Sequence, residues 1–166
     1  MEPTFSLNKD LTKIQKYEQF LAEYRPFIEG ERDLIAALAN TAAALREAFH
    51  FFWVGFYLVK DEQWLGLGPF QGSVACTRIR RGRGVCGTAW AEARTLVVPD
   101  VDAFPGHIAC SSLSRSEIVV PLPDSTGSVR GVLDIDSDRL ADFDDEDKQG
   151  LERIVQTLCQ QLFVNN

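Results

Sequence analysis

Glu117-Ile118-Val119-Val120-Pro121-Leu122 leads into Asp124-Ser125-Thr126-Gly127-Ser128, and that run leads into Val129-Arg130-Gly131-Val132-Leu133-Asp134-Ile135-Asp136. The outer segments are rich in β-branched residues, and the middle one is built of turn formers, so the stretch reads as two strands joined as a hairpin. Residues at every second position of a strand point to one face. Asp134 and Asp136 therefore share a face, and Leu133 and Ile135 share the opposite one. Glu117 opens the partner strand and reaches the acidic face if the two strands pair.

Working outward, Trp53-Val54-Gly55-Phe56-Tyr57-Leu58-Val59 is a second strong strand. Lys60 to Gln63 makes the turn, and Trp64 to Gly68 returns, stopped by Pro69. Shorter strands are predicted at Cys76 to Ile79 and at Thr95 to Val98. Asp10 to about Tyr24 reads as a helix with Leu11, Ile14, Tyr17 and Leu21 on one stripe, broken by Pro26 and Gly30. Glu31 to Phe49 is a second helix, striped by Leu34, Leu38, Thr41, Leu45 and Phe49. A short helix spans Thr88 to Ala93. The last helix runs from about Asp144 to Phe163, with Leu151, Ile154, Val155, Leu158 and Leu162 at helical spacing. The order ααβββαβββα predicts an α+β fold. Its six-stranded, largely antiparallel sheet carries helices packed on one face and a ligand pocket on the other.

The chain has 166 residues, 45% of them hydrophobic, which suits one domain with a sizeable core. We divide it into N-terminal helices (1–49), sheet and loops (50–143) and a C-terminal helix (144–166). A net charge of −7 argues against a nucleic-acid partner. No stretch is apolar enough to span a bilayer, and Met1 to Phe5 lacks the features of a signal peptide, so a cytoplasmic location is expected.

In such a compartment thiols stay reduced unless they have a task. Of the four cysteines, Cys159 lies beside the apolar stripe of the last helix and reads as a buried small hydrophobe. Cys76, Cys86 and Cys110 lie in polar or glycine-rich surroundings. One can attack an electrophile and another can resolve the product as a disulfide, which describes a thiol-based reductase. Cys86 follows the turn Gly82-Arg83-Gly84, at a helix N-terminus that favours a thiolate. Gly82 to Gly87 also matches G-x-G-x-x-G. The next strand begins too soon for a dinucleotide-binding crossover, so the glycines read as a tight turn. Cys76, Cys86, His107 and Cys110 could form a Cys3His metal set, but their spacing resembles no common zinc module and no metal is expected.

Trp53 and Tyr57 share a face of the first strand. Gathered with Glu117, Asp134 and Asp136, they would wall a pocket suited to a small ligand carrying an ammonium group.

Several segments taken together resemble the free methionine-(R)-sulfoxide reductases, which are built on a single GAF domain: Trp53 to Tyr57, Leu67 to Gly72, Gly82 to Ala89, Val97 to Val101, Phe104 to Cys110, Ser116 to Pro121 and Gly131 to Ser137. One departure is Ser111, where the family often has an acidic residue. The resemblance implies that residues 1–166 form one GAF domain. It implies that Cys110 attacks the sulfoxide sulfur, that Cys76 is the main resolving cysteine and Cys86 an auxiliary one, and that Trp53 and Tyr57 frame the methyl-sulfoxide group. Glu117, Asp134 and Asp136 would hold the substrate's polar groups and help protonate the departing oxygen. Thioredoxin, itself reduced by NADPH through thioredoxin reductase, would recycle the disulfide. No metal or organic cofactor is implied, and a homodimer is. The alternative is a non-catalytic GAF module that senses a small molecule.

Overall fold

The computed structural model describes residues 3–107 and 110–164. Two helices, α1 (Lys13–Ile28) and α2 (Leu34–Phe49), precede β1 (Trp53–Val59), β2 (Trp64–Gln71) and β3 (Arg78–Arg80). Then come α3 (Gly84–Glu92), β4 (Leu96–Val98), β5 (Ser116–Pro123), β6 (Val129–Ser137) and α4 (Asp145–Leu162). The order is the one the sequence pattern predicts, with a short 3-10 turn added at Val101–Ala103. The strands form one sheet in the order β3-β2-β1-β6-β5-β4. Every neighbouring pair is antiparallel.

One face of the sheet carries Val54, Phe56 and Leu58 of β1, Ile118, Val120 and Leu122 of β5, and Leu133 and Ile135 of β6, all buried. They pack against α2 and α4, and α1 packs on α4. Leu151, Ile154, Val155 and Leu158 supply the buried stripe of α4. The short α3 lies on the opposite face, over β5 and β6. Its Val85, Cys86, Ala89 and Trp90 form a second, smaller core with Trp53, Tyr57, Val119 and Val132.

The structure departs from the sequence reading at several points. Helix α1 buries Tyr17, Phe20, Leu21, Tyr24 and Ile28, while Ile14 is exposed and Leu11 precedes the helix. Thr12 caps it, accepting from the Gln15 N–H, so the helix starts later than the apolar stripe suggests. It also runs through Pro26. The proline lacks an N–H for the preceding turn, but burial of Tyr24 and Ile28 on either side of it outweighs that single lost bond. Strand β2 likewise continues past Pro69. The register shifts between Gly55 and Tyr57, so that Gly68 and Pro69 together face Phe56. A bulge of this kind seats a proline without breaking the ladder. Helix α3 starts at Gly84, earlier than expected, because Gly87 lies inside it against the Arg80 carbonyl, where a Cβ would collide.

Candidate active site

The register explains how the acidic residues meet. Trp53 of β1 pairs with Asp136 of β6, and Asp136 pairs with Glu117 of β5. Gly55 pairs with Asp134, and Asp134 with Val119. Trp53, Asp136 and Glu117 thus form one row across three strands, and Asp134 stands in the next row on the same face. Like charges opposite one another weaken a sheet, so this row is maintained for something other than stability.

Glu117 and Asp134 are 5% and 6% exposed. Burial, and then the charges of Asp134 and Asp136, push the Glu117 carboxyl well above the ordinary carboxylate range. Burial followed by the charge of Asp134 does the same to Asp136. Burial also raises Asp134, but the Glu117 carboxyl and the Cys86 thiol stabilise its ionised form and pull it back. All three carboxyls are thus pushed towards their protonated forms, and at Asp134 the push is opposed by its neighbours. Among the described residues one oxygen of Asp134, Oδ1, is buried with no hydrogen-bond partner. An orphaned carboxylate oxygen of this kind calls for a donor from a ligand.

The aromatic residues fix the wall above the acids. The Trp53 ring stacks on Phe70 with centroids 5.3 Å apart, and its Nε1–H donates to the Ser73 carbonyl at 2.9 Å. The Tyr57 hydroxyl donates to the Cys76 carbonyl at 2.9 Å. Each ring therefore buttresses the loop between β2 and β3. The closeness demands glycine at position 55, where a Cβ would meet Phe70 and come within 2.7 Å of the Trp53 ring.

Cys76 sits in that loop, before β3 begins, and not on the strand expected from Cys76 to Ile79. Released from the ladder, it is bonded to Cys110 of the long loop before β5, with Cα atoms 5.4 Å apart. The neighbouring Ile108 and Ala109, part of the segment that carries the family resemblance, lie outside the described residues. Cys86 is free and buried, its Sγ 3.9 Å from Glu117 Oε1. The helix N-terminus does not make it a thiolate. Burial, then the charges of Asp134, Glu117 and Asp136, push its thiol well up. Three nearby carboxyls and the loss of water outweigh a dipole worth about 1 kcal/mol. Cys159 is the buried small hydrophobe the sequence suggests, with burial raising its thiol to about 12.

Seven of the eight residues singled out from the sequence line one pocket, and the eighth, Cys76, is bonded to Cys110, which does. Sequence reasoning missed Ser73, Arg83 and Ser114, which also line it. Arg83 stands at the N-cap of α3 without a side-chain cap bond. Its only signal in the sequence was its place inside the glycine turn. Cys86 Sγ and carboxylate oxygens of Glu117 and Asp134 lie within 4.8 Å of one another, close enough to share a cation. The Cys3His set is not assembled, because two of its thiols are joined to each other. Among the described residues no helix is long and apolar enough to cross a membrane.

Comparison with known proteins agrees with this geometry. The GAF domain family model matches residues 33–162. The free methionine-R-sulfoxide reductase of Escherichia coli is 46% identical over 149 residues, 89% of either chain. The GAF domain-containing protein A of Dictyostelium discoideum is 58% identical over 89% of this chain and 92% of its own. The crystal structure of the free methionine-R-sulfoxide reductase from Neisseria meningitidis, in complex with its substrate, superposes with a TM-score of 0.90 at 52% identity, covering 97% of this chain and 95% of that one. The chain is a member of the GAF-domain family and, within it, of the free methionine-R-sulfoxide reductases.

Proposed function

We propose that this protein reduces free L-methionine (R)-S-oxide to L-methionine with electrons from thioredoxin. The observation that carries the proposal is the Cys76–Cys110 disulfide beside a pocket that Cys110 lines together with the buried Glu117 and Asp134 and the half-buried Asp136.

The substrate is zwitterionic. Asp134, with its orphaned Oδ1, receives the ammonium group, and Arg83 faces the carboxylate. A residue within a polypeptide lacks both charges, which restricts the enzyme to the free amino acid. Trp53 and Tyr57 flank the methyl-sulfoxide end. The Cys110 thiolate attacks the sulfoxide sulfur while Glu117, assisted by Asp136, gives a proton to the oxygen. The oxygen then passes from the methionine sulfur to the Cys110 sulfur: the sulfoxide S–O bond and the transient bond between the two sulfurs break, methionine leaves with its sulfur reduced, and Cys110 is left as a sulfenic acid. The Cys76 thiol displaces that oxygen as water, forming the disulfide. Thioredoxin then donates two electrons and two protons by thiol–disulfide exchange. Cys86, whose thiol is buried and pushed up, is at most an auxiliary partner. This chemistry calls on no metal or organic cofactor, suits the cytoplasm, and the resemblance implies a homodimer.

An NADPH-coupled thioredoxin assay with separated epimers tests the reading: turnover of the R epimer and none of the S epimer is expected. Cys110→Ser loses even the first turnover. Cys76→Ser still yields one equivalent of methionine but recycles slowly. Methionine formation by Cys110→Ser would place the nucleophile elsewhere.

A further inference from the structure

We propose that Val74, Leu113 and the arginines around β3 form the docking surface for the protein dithiol that reduces the Cys76–Cys110 disulfide. The inference rests on the functional reading above only in taking this disulfide as one that is recycled.

Val74 and Leu113 are 88% and 64% exposed, the highest values for large apolar side chains among the described residues. Elsewhere such residues reach 58% at most, at Ile35. Val74 lies just upstream of Cys76 and Leu113 just downstream of Cys110, so among the described residues each loop that carries a bridged cysteine also presents a bare apolar side chain. Both bridged cysteines are half-buried, whereas the free cysteines are fully buried. Exposed apolar groups at a reactive bond are what a transient protein contact needs, because they exclude water with little ordering.

Charge identifies the kind of partner. Arg78, Arg80, Arg81 and Arg83 crowd one edge strand and the turn after it, in a chain of net charge −7. None of the four makes an ion pair among the described residues. Arg78 leans over Trp64 and Arg81 over Trp90, which holds their charge at the surface. Arg83 also lines the pocket that Cys110 lines. Unpaired basic groups beside an apolar contact fit a partner whose redox pair is set in an apolar surface with an acidic rim, and they steer it in. A small dithiol such as dithiothreitol needs neither feature.

The exchange itself balances. One partner thiolate attacks a sulfur of the disulfide, breaking the S–S bond and releasing the other cysteine as a thiol. The partner's second thiol then closes on the mixed bond, leaving Cys76 and Cys110 reduced and the partner oxidised.

The test uses pre-oxidised full-length protein without sulfoxide. The second-order rate of disulfide reduction is measured by thiol counting, with thioredoxin and separately with dithiothreitol. Val74→Gln combined with Leu113→Gln is expected to slow reduction by thioredoxin tenfold or more while the dithiothreitol rate stays within twofold. Arg80→Glu is expected to lower the thioredoxin rate severalfold and to flatten its decline with added salt. Equal thioredoxin rates in wild type and variants would overturn the proposal. So would a change in oligomeric state by light scattering with an unaltered rate, which would make the patch an interface between copies. If the wild-type disulfide is reduced no faster by thioredoxin than by equimolar dithiothreitol, the recycling reading itself fails, and the surface with it.

Discussion

Glu117→Gln separates the catalytic and structural consequences of the acid row. Glu117 pairs directly with Asp136 across β5 and β6, and such partners stand about 5 Å apart. Two ionised carboxylates at that separation, with an effective dielectric near 20, repel by about 3 kcal/mol. The protein escapes part of this by keeping a proton, so the recoverable amount is about 1–3 kcal/mol. Because the Glu117 pKa is raised in the folded state, the native protein binds more protons than the unfolded chain between the two values. Its stability therefore falls as pH rises through that window. The amide cannot ionise. The variant should match wild type near pH 4 and exceed it by about 1–3 kcal/mol at pH 9 in urea denaturation. The same substitution removes the proton donor of the proposed mechanism. Loss of a general acid costs about 10²–10⁴ in rate, read as single-turnover methionine formation by the reduced enzyme. A variant with a first-turnover rate within threefold of wild type, or with lower stability at pH 9, would refute the reasoning.

Gly55→Ala introduces a Cβ against Phe70 and 2.7 Å from the Trp53 ring. Overpacking should cost about 1–3 kcal/mol in denaturant and raise KM for the sulfoxide, because the displaced indole is a wall of the pocket. After reduction, brief alkylation at pH 8 followed by mass spectrometry should label Cys76 and Cys110 and leave Cys86 unmodified, since burial and three carboxyls hold its thiol protonated. Labelling of Cys86 as fast as Cys110 would contradict that assignment.

Much of the sheet was legible from periodicity. The alternation through Val129–Ser137 places the acids and the aliphatic residues on opposite faces, and the turn residues before it enforce an antiparallel return. Once that hairpin is granted, the meeting of Glu117 with Asp136 follows from counting. The cysteines in polar or glycine-rich surroundings were equally visible, because a cysteine that serves only as a small hydrophobe belongs in an apolar stripe, as Cys159 does. Prolines were the poorest guides. Pro26 and Pro69 lie inside elements they were expected to end, since burial on both sides of one and a bulge at the other compensate the missing N–H. Local sequence carries no record of such compensation.

The chain's own order of residues determined which groups share a face, because that depends only on the twofold repeat of a strand and the 3.6-fold repeat of a helix. Tertiary structure alone decided the surroundings of each thiol. Cys86 has the helix N-terminus that ought to activate it, yet α3 lies over β5 and β6 and presses its sulfur into the acid cluster, away from water. Cys76 and Cys110 become partners because two loops distant in sequence close over the same pocket. Desolvation and through-space charge depend on what surrounds a group in three dimensions, and neither is written in its neighbours along the chain.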